Sequence, residues 1–97
     1  MGFLGLFKSK KEKFRIIVRA CFNDEIKETT KLYRNKISEP LFHTMIIQSI
    51  ESCYQLLINH PNLPYYTATS NFNPYMVIEE EKTKALEKYL KSVKLNG

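Results

Sequence analysis

At 97 residues the chain is one domain near the lower edge of the common size range, able to bury roughly 60–65% of its extended surface around a single core. An apolar fraction of 43% argues against wholesale disorder, and three glycines and four prolines are few for an all-β fold that must turn often. The net charge of +5 is unevenly spread: residues 1–37 carry ten Lys or Arg against four acids, residues 38–81 carry five glutamates and no Lys or Arg, and residues 82–97 carry five lysines against Glu87. An acidic, apolar middle between two basic ends suits an acidic partner better than a basic one.

Taken in chain order, Met1–Phe7 reads MGFLGLF and runs into Lys8, Lys10, Lys11, Lys13 and Arg15. Residues 1–11 are expected to form an apolar tip and basic N-terminal segment, and residues 12–97 a single helical domain. From there Phe14, Val18, Phe22, Ile26, Thr30, Tyr33 and Ile37 follow a drifting i, i+4, i+3 stripe with Ile17 and Cys21 beside it, which predicts a helix over 12–36. Asn23-Asp24 could break it in two; a single helix is preferred.

Ser38-Glu39-Pro40 is a helix start, with a capping hydroxyl, an acid for the dipole and a proline tolerated in the first turn. The helix is expected to cover 39–59, stopped by His60-Pro61. Its apolar residues, from Leu41 and Phe42 to Leu57 and Ile58, take up most of the circumference, the pattern of a central, buried helix. Residues 60–74 hold three prolines, three asparagines and three aromatics, and are expected to be a packed loop; alternation from Tyr65 to Phe72 leaves a short strand as the other reading. Asn73-Pro74 then caps a last helix over 75–95, with Ile78, Leu86, Tyr89, Leu90 and Val93 as its buried face. Glu79, Glu80 and Glu81 are expected as a solvated helix start. The fold class is therefore all-α: a small bundle of three main helices, the second at the centre, with a long Pro/Asn/aromatic loop before the third.

Chemistry is sparse. Cys21, His43, Cys53 and His60 would make a zinc inventory, but none stand in the close pairs that a tetrahedral site uses, so no metal or other cofactor is expected. The two cysteines are expected as small buried hydrophobes in a reducing compartment. With two histidines, one aspartate (Asp24) and no nucleophile elbow, phosphate-cradling glycine loop or H-E-x-x-H pair, the sequence points away from an enzyme.

Non-enzymatic binding to another protein, an acidic one, ranks first. Its expected contact residues are Tyr65, Tyr66, Asn71, Phe72 and Asn73, because tyrosine buries area at low entropy cost. Second comes an anionic membrane surface, met by Phe3, Leu4, Leu6 and Phe7 together with Lys8, Lys10, Lys11, Lys13 and Arg15, each basic side chain adding about 1 kcal/mol. Nucleic acid ranks below both, since lysines outnumber arginines and base-edge reading favours arginine. A cytoplasmic location, or a peripheral one at the inner face of the membrane, fits this ranking. The apolar tip and the girth of the second helix leave a homodimer open.

Overall fold

A computed structural model describes residues 9–96, with side chains through Val93. The described residues are all-helical and carry no strand: α1 (Lys10–Tyr33), α2 (Glu39–Ile58), α3 (Leu63–Thr69) and α4 (Pro74–Asn96). The three long helices all touch one another. They run up, down and up, so that α2 is antiparallel to both neighbours and α1 lies parallel to α4. Arg34 of α1 meets Phe42 near the start of α2, while Phe14 and Ile17 meet Leu57 near its end.

Each long helix begins where the sequence offers acceptors for its unpaired amides. Ser9 opens α1 as the first half of an S-x-x-E box, its Oγ accepting from the Glu12 amide at 3.1 Å. That start precedes the expected position 12, because the box lies inside a lysine run that reads as a frayed tail. Ser38 caps α2 through the Leu41 amide at 3.4 Å, with Pro40 in the first turn. Asn73 accepts from the Tyr75 amide at 3.0 Å and Pro74 opens α4.

The α1 helix passes unbroken through Asn23-Asp24, both of which face solvent where they cost little. It ends at Tyr33, and Asn35, two residues on, has a φ of 65° in the left-handed region.

Val18 and Phe22 of α1, Phe42, Ile46 and Ile50 of α2, Leu63 of α3 and Ile78 of α4 form the core. The position of α2 differs from the expected central one. The three long helices share the core as the corners of a triangle, so α2 leaves apolar residues uncovered at several points of its girth: Leu56 is 75% exposed, and Leu41 and Ile47 are exposed as well. Leu90, expected on the buried face of α4, is also exposed. The connection before α4 differs too. It contains the two-turn helix α3, with Pro64 in its first turn, where a missing amide costs nothing. Leu63 tucks α3 onto the bundle end, and the Thr67 hydroxyl donates to the Leu63 carbonyl at 2.9 Å.

Polar ties fix α4 to both of its long neighbours. Lys82 Nζ lies 2.5 Å from Glu51 Oε2 and 4.2 Å above the Tyr54 ring on α2. On the α1 side, Glu81 is 2% exposed, which corrects the expectation of a fully solvated triple glutamate. Three consecutive helical residues point about 100° apart, and Glu81 is the one that turns inward. It meets Arg15 at 2.7 Å, Arg19 at 2.8 and 3.2 Å and Lys84 at 3.4 Å.

Candidate functional site

The α3 end of the bundle brings together residues from every helix. Phe14 of α1 stacks on Tyr66 of α3 with ring centroids 5.1 Å apart, and Phe72 closes the trio at 5.7 Å from Phe14 and 5.8 Å from Tyr66. Offset and edge-on contacts at such spacings suit the ring quadrupoles, so the trio pins α3 and the following turn to α1. Lys10 Nζ rests 4.8 Å from the Tyr66 centroid.

Beside the trio lies an open groove of about 230 Å³ lined by Phe14, Ile17, Leu57, Leu63, Tyr66 and Ile78 and by the polar His60 and Asn62. No carboxylate lines it. Ile17 stands 61% exposed at its rim, as a consequence of helix geometry: Phe14, Val18 and Phe22 define the inward face of α1, and Ile17 falls just off it. Lys13 lies one turn before Ile17 on α1, and Lys10 one turn before Phe14.

The five residues expected to make contacts are thus split. Tyr65, 73% exposed, and Asn71 face solvent on the outer side of this end. Tyr66 and Phe72 are half-buried in the aromatic trio, and the Asn73 side chain is occupied as the cap of α4. The sequence does not mark Ile17 and Leu57 as contact residues, since a stripe cannot tell which of its flanking apolar positions a neighbour will cover.

Of the residues assigned to membrane contact, Phe3, Leu4, Leu6, Phe7 and Lys8 lie outside the described residues. Lys10, Lys11 and Lys13 are exposed on the first turns of α1. Arg15 is not available to a headgroup: its side chain is 13% exposed and its guanidinium is held by Glu81, whose hydrogen bond raises the Arg15 pKa further. Burial alone would push the Glu81 carboxyl up; the hydrogen bonds from Arg19 and Arg15 outweigh it and hold the group down at about 2.

That cluster sits in the seam where α1 and α4 run parallel. Arg19, Lys84 and Lys88 share one small recess there with Asn23, so the two basic ends of the sequence become one surface. At the far end of the bundle, His43 Nδ1 contacts the Tyr89 hydroxyl and His43 Nε2 lies 3.3 Å from Glu39, within a recess of about 410 Å³ that Arg34 and Phe42 also line. Burial, then the Glu39 charge, raises the Tyr89 pKa, so its hydroxyl remains protonated and can donate to the imidazole.

Cys53 is buried and Cys21 half-buried, both as free thiols; burial, with smaller contributions from Cys21 and Glu25, pushes the Cys53 thiol up to about 11. Among the described residues no three His, Cys, Asp or Glu side chains gather as a metal ion would need, and no helix is long and apolar enough to cross a membrane. The chain matches no protein-family model, no curated protein and no solved structure.

Proposed function

We propose that this protein is a non-enzymatic binding module whose partner is another protein, and that contact is made through the α3 end of the bundle. The observation that supports this most is the open apolar groove with Ile17 exposed at its rim. Burying an isoleucine side chain gains about 1.5–3 kcal/mol, and aromatic walls with aliphatic anchors are the usual make-up of an interface centre. Tyr65 and Asn71, exposed on the same short element and the turn after it, supply an adaptable polar margin. The basic α1/α4 seam steers an acidic partner toward the molecule, with association slowing as salt rises. Affinity capture with wild type, Ile17→Glu and Tyr65→Ala tests the reading. A partner held by the wild type and released by both variants supports it, and equal capture by all three removes it.

Peripheral membrane association is the second reading, because Lys10, Lys11 and Lys13 are exposed together next to the apolar sequence of residues 3–7. Sedimentation with anionic liposomes separates the two, provided the shortened chain starts at Ser9, so that the cap of α1 is kept.

A further inference from the structure

The chemistry around the groove specifies its occupant more narrowly, on the premise that this end of the bundle is the contact surface. We propose that the groove receives an acidic amphipathic helix of a protein partner, its apolar side chains seated against Ile17, Leu57 and Tyr66 and its carboxylates facing Lys10 and Lys13.

The sign of the charge follows from where ionic groups stand. Lys10 rests over Tyr66 of the groove and Lys13 stands exposed one turn before Ile17, and among the described residues neither makes an ion pair. Lys10 is positioned rather than free to wander, because its ammonium rests over the Tyr66 ring and Ser9 fixes the start of the helix that carries it. The nearest acid in sequence, Glu12, acts electrostatically on Arg19, which belongs to the α4 side of α1 and not to the groove. A partner carboxylate here meets two unpaired ammonium groups, whereas a basic segment meets like charge with no compensating acid in the lining.

The backbone form follows from the walls. The groove lies between helices, and the described residues contain no strand whose edge an extended peptide could join. That leaves side-chain contact as the source of affinity, and a helix presents its side chains on one face at i, i+3, i+4 and i+7. At about 230 Å³ the groove admits a few large apolar side chains and not a broad surface, so affinity rests on few anchors and is sensitive to each.

Selection from a phage-displayed library of random peptides, long enough for about four helical turns, tests this on the intact chain. The expected winners are rich in Asp and Glu with apolar residues at helical spacing. They should bind wild type saturably, lose about tenfold or more in affinity to Ile17→Glu, and lose severalfold to Lys10→Glu with Lys13→Glu. Lys10→Arg with Lys13→Arg should keep them. Circular dichroism confirms that each variant is folded, and Ile17→Ala replaces Ile17→Glu should the latter not be.

Winners that are neutral or basic, winners indifferent to Ile17, or no saturable winner at all would overturn the proposal. So would vesicles of phosphatidylserine and phosphatidylcholine that bind in an Ile17-dependent way when no peptide does. If selection fails while Ile17→Glu and Tyr65→Ala still release a captured protein, the acidic helix falls and the contact surface stands.

Discussion

Arg15 Nη1 and Glu81 Oε2 lie 2.7 Å apart across 66 positions of sequence, and the pair locks the first long helix to the last. Arg19 and Lys84 crowd the same carboxylate, so one buried acid offsets part of the positive charge that α1 and α4 bring to their seam. Without Glu81 the parallel approach of α1 and α4 would bring like charges together. Glu81→Ala should therefore destabilise the fold by about 2 kcal/mol or more, read from urea unfolding, because it leaves the Arg15 guanidinium only the more distant, exposed Glu80 at 3.5 Å. Arg15→Ala should cost less, since the half-exposed Arg19 still holds the acid.

The same carboxylate makes stability depend on pH in a defined window. Its pKa is about 2 in the folded chain against an ordinary 4.5. A depressed carboxylate stabilises the fold above the ordinary value, and that stability drains away as pH falls from there through the folded value. The unfolding free energy of wild type, read from urea unfolding, should thus fall between about pH 4.5 and pH 2 by an amount on the order of 2 kcal/mol once screening of the exposed arginine is allowed for. Glu81→Gln, measured over the same range, should give a flatter profile.

Asn35 sits past the end of α1 at a φ of 65°, a conformation that asparagine tolerates and β-branched residues resist. Asn35→Gly should leave stability within about 1 kcal/mol of wild type, while Asn35→Val should cost about 1–2 kcal/mol. Thermal unfolding of the two variants decides it. Equal losses in both would mean that the asparagine side chain, and not the backbone angle, matters there.

Thiol labelling should separate the two cysteines. With its pKa pushed up to about 11 and its side chain buried, Cys53 presents almost no thiolate at neutral pH and should react only as the protein unfolds. Cys21, half-buried, should label first. Peptide mapping of the alkylated chain over time checks the order.

What the sequence discloses is local. Ser38-Glu39-Pro40, His60-Pro61 and Asn73-Pro74 mark helix ends through the chemistry of their own atoms, and the long helices fall close to where those marks place them. The seven residues of α3 are too few for a periodicity to register, and three prolines with three asparagines read as loop even though Pro64 at a helix start is permissive. The S-x-x-E box at Ser9 was open to reading but lay hidden in a basic run.

Tertiary partnerships are a different matter. Nothing near Glu81 in sequence announces Arg15 or Arg19. Likewise, nothing near Tyr66 announces Phe14, so the aromatic trio and the groove beside it emerge only once the helices are in place. The misplaced centrality of α2 has the same origin. An apolar girth records how much surface asks for cover, while the number of neighbours decides how much receives it, and Leu56 stays three-quarters exposed.

The most direct test of the α3 end as the contact surface is photo-crosslinking in cells, with a photoreactive phenylalanine analogue placed at Ile17, at Tyr65, or at Ser92 near the opposite end. The contact-surface reading predicts one discrete protein adduct from Ile17 and Tyr65 and none from Ser92. Adducts of equal strength from all three positions, or from Ser92 alone, would contradict it.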